Sequence, residues 1–223
     1  MLSRSEVRAT IAVVVLALAG VVALWPRDPA PQGAAAGGPG PQEPSESAQI
    51  TASVPDDAAL APLRRQAALE PCPSPQPDAP PAAGPLAGVV VPCLGEPGRV
   101  DLGAALAGRS ALLTLWASWC GVCREEMPVL AAYAAEPDAI PVVGINVQDR
   151  PDAALSLLAD LDVHFPSVTD PDGALQRALN APRAVPLSFV VRPDGSVQLI
   201  PPRVFRSVEQ IRQSVAEYLP APS

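Results

Sequence analysis

The chain has no lysine and a single histidine, His164, among its 223 residues. All 15 basic side chains are arginine, and 23 acidic residues outnumber them, giving a net charge of −8 and a pI near 4.6. No basic stripe exists to neutralise phosphates, so nucleic acid is excluded as a partner. The missing lysine, set beside abundant Ala, Pro and Gly, points to the codon usage of a GC-rich genome rather than to a chemistry. Internal repeats, glycine-rich phosphate loops and paired-carboxylate constellations are all lacking. Soft metal ligands are scarce too. Cys72 and Cys93 are too scattered to make a second zinc knuckle, and His164 is no substitute, so neither a metal nor a cofactor is expected.

What the chain does have is 48% hydrophobic residues and 30 prolines, unevenly placed. There is room for one globular domain with appendages. Residues 9–25 form an uncharged run of roughly 17, about the minimum for a membrane-spanning helix. Arg4 and Arg8 precede the run, which leaves residues 1–8 in the cytoplasm and exports the rest. An uncleaved signal anchor is the expectation, with a cleaved signal peptide as the alternative; no clean Ala-x-Ala follows the run before Pro26-Arg27-Asp28. Residues 26–85 are dominated by Pro, Ala, Gly, Ser and acids, a composition that reads as a stiff linker. A possible short helix over 56–70 interrupts it, with Leu60, Leu63 and Leu69 at near-helical spacing. A helix packed on the domain and a transient helix both fit that pattern.

The most informative stretch is Leu112-Leu113-Thr114-Leu115-Trp116-Ala117-Ser118-Trp119-Cys120-Gly121-Val122-Cys123-Arg124-Glu125-Glu126-Met127-Pro128. It starts as a buried strand and continues as a helix with Met127, Leu130 and Ala131 inward. Two thiols therefore lie three apart in a first helical turn. There the unpaired N–H groups and the helix dipole favour a thiolate at Cys120. Cys123 is close enough to bond to it, and such a pair passes two electrons to or from another dithiol. A c-type haem site would need His at 124, which is Arg. A purely structural pair is the remaining bland reading.

Trp119-Cys120-Gly121-Val122-Cys123 after a buried strand resembles the thioredoxin fold. Cys120-x-x-Cys123-x-x-Glu126-Met127-Pro128 is similar, more narrowly, to the TlpA/ResA branch of membrane-tethered thiol–disulfide oxidoreductases of cytochrome c biogenesis. The resemblance covers roughly residues 88–219. It implies a thioredoxin-like domain over 86–220, with a mixed central β-sheet flanked by helices behind the N-terminal anchor. It also implies Cys120, Cys123 and Glu126 as catalytic residues. Trp119, Val185 and Pro186 would bind substrate, with a cis bond before Pro186 facing the cysteines. Thioredoxins resemble one another in a buried Asp six residues before the first Cys. Thr114 stands there in this chain, and Glu126, on the Cys123 side of the helix, is the replacement that the branch implies. Gly121-Val122 departs from the Gly-Pro of thioredoxin and leaves the potential open.

If the domain is exported, it meets an oxidising compartment in which unpaired thiols are a liability. A Cys72–Cys93 disulfide would then staple the linker to the strand-like 89–94. It would close a loop of about 20 residues, worth on the order of 3 kcal/mol. A second, regulatory redox pair is the alternative. Further along, strands are expected at 141–147, 187–191 and 197–200, and an extended passage at 164–170. Helices are expected at 101–106, 151–161, 172–179 and from Ser207 onward. Pro92 confines its strand to an edge, and Pro128 should kink its helix. His164, before Phe-Pro, reads as a solvated turn residue.

The functional expectation is a bacterial cell-membrane protein with its C-terminal domain outside the cytoplasm. It would reduce protein disulfides such as the haem-site cysteines of apocytochrome c, fed by an electron-donor partner in the membrane. An oxidant that inserts disulfides is the same-class rival. A non-enzymatic copper chaperone would want Cys-x-x-x-Cys and a downstream His, which this chain does not match.

Overall fold

The computed structural model describes residues 57–219. The run at 9–25 lies outside them, and no helix among the described residues is long and apolar enough to cross a membrane. The central sheet has five strands: β3 (Ala111–Trp116), β4 (Val142–Val147), β5 (Ser167–Asp170), β6 (Leu187–Val191) and β7 (Val197–Leu199). Their spatial order is β5-β4-β3-β6-β7. The β3, β4 and β5 strands run parallel, while β6 pairs antiparallel with both β3 and β7. Apolar runs with helices on both faces produce such a mixed, doubly covered sheet.

Strand periodicity sorts β3 between two cores. Leu112 and Trp116 face a cluster built on helices α1 (Asp57–Ala67), α3 (Gly121–Ala134), α4 (Pro151–Asp160) and α6 (Val208–Tyr218). Ala111, Leu113 and Leu115 face the other, with helices α2 (Leu102–Leu106) and α5 (Ala174–Ala178). Asp101 caps α2 by accepting from the Ala104 N–H at 3.0 Å. Ser207 caps α6 through the Gln210 N–H at 3.3 Å. The α3 helix passes through Pro128 as one continuous element and ends at Ala134, two residues before Glu136-Pro137.

Within the span expected as linker, α1 packs on the domain. Its Leu60 and Ala67 are buried, and so is Arg64, whose Nε donates to the Leu94 carbonyl at 3.1 Å. His164 takes part in holding α1. Its Nδ1 lies 2.9 Å from the Ala67 carbonyl, and its own carbonyl accepts from the Glu70 N–H at 2.7 Å. It is thus a docking residue rather than a free turn residue. The following coil crosses the β6–β7 turn backbone against backbone. Gly84 and Gly195 both have positive φ, and a Cβ on Gly84 would fall 2.0 Å from the Gly195 carbonyl oxygen. Only glycine fits that crossing.

The short strands β1 (Val90–Pro92) and β2 (Arg99–Asp101) form a separate antiparallel hairpin. Pro92 stands opposite Arg99 in it. The hairpin joins the edge of the main sheet just past Pro92, where Cys93 bridges Val168 and the Leu94 N–H donates to the Ser167 carbonyl at 2.9 Å.

Candidate active site

The buried central strand β3 delivers the chain to its C-terminal end at Trp116, and Cys120 then caps α3. The Cys120 Sγ accepts from the Cys123 N–H at 3.1 Å, and the two sulfurs are bonded at 2.12 Å with Cα atoms 5.2 Å apart. A donor aimed at Cys120 Sγ at a helix N-terminus favours the thiolate once the bond opens. Cys123 is fully buried, whereas Cys120 keeps 7% of its surface. The first sulfur is therefore the one a partner reaches. Around it the surface is apolar and open: Trp119 is 61% exposed and Val122 43%, and nothing stands within 4 Å of where a Cβ on Gly121 would lie.

The turn before Cys120 is held by a carboxylate that the sequence did not single out. Asp149 accepts from the Ser118 N–H at 2.5 Å, the Ser118 hydroxyl at 2.8 Å and the Asn146 side-chain amide at 2.8 Å. It also accepts from the Arg150 N–H at 2.8 Å. Next to it, the Gln148 carbonyl accepts from the Trp119 indole N–H at 2.9 Å, which fixes the ring although its face is exposed. Asp149 is 31 residues from Ser118, so no local pattern could have announced the pairing.

The bond between Val185 and Pro186 is cis, and the Val185 carbonyl oxygen lies 3.8 Å from Cys120 Sγ. The Val185 N–H has no hydrogen-bond partner among the described residues. Trp119, Val185 and Pro186 thus come together with Cys120 around one opening.

Glu126 and Glu125 are neighbours with opposite fates. Glu125 is exposed and pairs with Arg206 at 3.3 Å. Glu126 is 1% exposed on the Cys123 side of α3, and its Oε1 accepts from the Phe205 N–H at 2.8 Å. Burial raises its pKa to about 7, against the lowering effect of the Phe205 bond. Thr114 is buried in β3, and its hydroxyl has no partner among the described residues. A hydroxyl does not titrate near neutrality, so of these two buried polar side chains only Glu126 can exchange a proton there.

Cys72 and Cys93 are bonded at 2.05 Å with Cα atoms 6.1 Å apart, joining the coil after α1 to the end of β1. The Cys72 N–H donates to Glu96 Oε1 at 2.8 Å, and that carboxylate lies within 4.8 Å of both sulfurs. The second disulfide therefore sits beside an anion.

The Redoxin family matches residues 80–205, which take in the cysteine pair, the cis proline and the whole sheet. The chain belongs to the Redoxin family. Its relatives include a thiol:disulfide interchange protein DsbE homolog of Paracoccus denitrificans, 34% identical over 132 residues. That match covers 56% of this chain and 68% of the relative. The thiol-disulfide oxidoreductase ResA of Bacillus subtilis is 28% identical over 101 residues, 44% of this chain and 55% of ResA. Among solved structures, a secreted Mycobacterium tuberculosis disulfide oxidoreductase homologous to E. coli DsbE superposes with a TM-score of 0.52 at 28% identity. It covers 60% of this chain and 97% of that structure. The chain spans about half the length of the first relatives it matches. The Redoxin domain here thus has the thioredoxin-like fold and the type of cysteine pair that the TlpA/ResA resemblance implied.

Proposed function

We propose that this Redoxin protein is an exported, membrane-tethered thiol–disulfide oxidoreductase that reduces protein disulfides through Cys120 and Cys123. The Cys120 thiolate attacks one sulfur of a substrate disulfide, forming a mixed disulfide and releasing a substrate thiolate. Cys123, after losing its proton, attacks Cys120 Sγ and frees the second substrate thiolate. Two electrons pass to the substrate, its two thiolates take up two protons, and the protein is left with the Cys120–Cys123 disulfide. A dithiol donor must then restore the reduced pair.

The observation that carries the reading is Glu126, buried beside the fully buried Cys123 with a pKa near 7. A carboxyl poised near neutrality accepts the Cys123 proton during resolution and returns it to solvent afterwards. As an anion near the thiols it also disfavours a second negative charge, which favours the disulfide in this protein and hence reduction of the partner. Trp119 and Val122 supply an apolar seat for the substrate, and the free backbone groups of Val185 can pair with an extended substrate segment. The uncharged run at 9–25 supports the tether, and the DsbE and ResA relatives support haem-site cysteines of apocytochrome c as the substrate and a membrane dithiol as the donor. One contact favours the oxidant reading instead: the Cys123 N–H on Cys120 Sγ stabilises the reduced thiolate.

The equilibrium reduction potential of the pair, measured against glutathione, separates the two. A reductase should lie near or below roughly −220 mV, and a value near the −120 mV of a strong oxidant would refute it.

A further inference from the structure

Beside the redox pair lies a polar cleft of about 560 Å³, lined in part by Gln148, Asp170, Asp172, Gln176, Arg177 and Arg183. Two of its borders lead to the reacting sulfur. On one, Gln148 holds the Trp119 indole. On the other, Arg183 precedes Val185 by two residues, and the Val185 carbonyl is 3.8 Å from Cys120 Sγ. The cleft thus adjoins residues that flank the reacting sulfur on two sides.

The charges in the cleft are unevenly engaged. Asp170 is buried, and its two oxygens accept from the Leu175 and Gln176 N–H groups at 3.0 and 2.9 Å. Asp172 is exposed and accepts from the Ala174 N–H at 3.2 Å. Arg177 donates to the Asp172 carbonyl at 2.6 Å, a backbone group, and makes no direct ion pair with either carboxylate of the cleft. Arg183 is exposed and has no hydrogen bond or ion pair among the described residues. Arg64, Arg150, Arg206 and Arg212 are each paired with a carboxylate, and several other arginines outside the cleft are engaged by carbonyl or hydroxyl groups. Two guanidiniums without carboxylate partners, in a chain with a net charge of −8, mark this cleft as a local site for an anion.

We propose that Arg177 and Arg183 receive an acidic side chain of the substrate protein, placed a few residues from its reactive cysteine, and so set the substrate preference of this oxidoreductase. The proposal rests on the thiol-exchange reading and specifies the substrate class. An extended substrate advances about 3.3 Å per residue, so an Asp or Glu two to four positions from the cysteine falls over the cleft while the sulfur engages Cys120. The planar guanidinium fork matches a carboxylate in two hydrogen bonds, which a neutral or basic side chain cannot make.

The test compares disulfide peptides of one sequence that carry Asp, Asn or Lys three residues from the cysteine, turned over by the full-length protein. The readout is the ratio of kcat/KM for the Asp peptide to that for the Asn peptide, measured separately in each variant. A ratio of about five to ten at low salt is expected, shrinking toward one at 0.5 M salt, with the Lys peptide worse than Asn. Arg183→Glu should invert the order of Asp and Lys, and Arg177→Gln should lower the ratio by a smaller factor. Equal turnover of the three peptides by the unaltered protein would overturn the proposal, as would an Asp preference that survives Arg183→Glu. If no peptide is turned over but 2-hydroxyethyl disulfide is, the acidic-substrate proposal alone falls. If that small disulfide is also inert, the thiol-exchange reading falls with it.

Discussion

The two disulfides of this chain both keep some surface, yet their surroundings prepare them for opposite behaviour. Cys120 is 7% exposed and Cys123 fully buried, while Cys93 is 6% exposed and Cys72 half-buried, so accessibility alone would favour attack on the second pair. Electrostatics and chain topology favour the first. Cys120 sits at a helix N-terminus with an N–H donated to its sulfur, and an exposed indole and valine border it. Cys93 and Cys72 sit beside the Glu96 carboxylate, which disfavours the thiolates that reduction would create. The first bond spans three residues and constrains the unfolded chain little, on the order of 1.5 kcal/mol in the chain-entropy model. The second spans 21 residues and contributes on the order of 3 kcal/mol. These surroundings favour opening of the first bond over opening of the second.

The sharpest way to break that contrast is to remove each pair in turn. Replacing Cys120 or Cys123 by Ser should reduce disulfide exchange to background, and Cys123→Ser alone should accumulate mixed disulfides with substrates. The Cys72→Ser, Cys93→Ser double variant should keep exchange within about threefold while losing about 3 kcal/mol of stability by urea denaturation. Equal trapping by both active-site variants, or an unchanged urea midpoint in the double variant, would erase the distinction. Graded reduction with dithiothreitol, followed by thiol alkylation and mass mapping, should label Cys120 well before Cys72 or Cys93.

Glu126 and Glu96 extend the comparison to the acids beside each pair. In Glu126→Gln, resolution of the mixed disulfide should slow by about 10²-fold, the usual scale of general acid–base catalysis. The raised pKa also has a stability signature. The native state holds the Glu126 proton up to about pH 7 while the unfolded state releases it near 4.5, so stability falls as pH rises through that window. The Gln variant lacks this fall and should gain up to about 3 kcal/mol relative to the parent at pH 8. Parallel pH profiles for the two proteins would reduce Glu126 to an ordinary buried side chain. Glu96→Gln should leave exchange at Cys120 alone and make Cys72–Cys93 easier to reduce.

The smallest expected effect concerns the helix that the second disulfide helps to hold. The Ala67 carbonyl and the Asp162 carboxylate, in that order, raise the His164 pKa. The resulting stabilisation is complete below the ordinary histidine value near 6.5 and is lost as pH rises through the raised one. Protection factors of the α1 amides, corrected for the intrinsic pH dependence of exchange, should therefore fall modestly between pH 6 and 8, and His164→Leu should remove that dependence.

The sequence by itself determined the redox pair, its place at a strand-to-helix junction and the alternation of elements that makes the sheet. Those signals are local: a largely apolar run, two thiols three apart and caps at Asp101 and Ser207 are read within a dozen residues. Whether 56–70 packs was undecidable from its three leucines. Arg64 settles it by reaching Leu94, 30 residues on, and His164 by reaching back 97 residues to Ala67. Asp149 at Ser118, Phe205 on Glu126 and the Glu96 carboxylate beside the second disulfide are contacts of the same long-range kind. Periodicity reports which face of an element is apolar, but not which distant backbone group arrives to meet a buried polar atom. Only the tertiary structure decides that, because burying Glu126 both raises its pKa and obliges a partner for its oxygen to come from elsewhere in the chain.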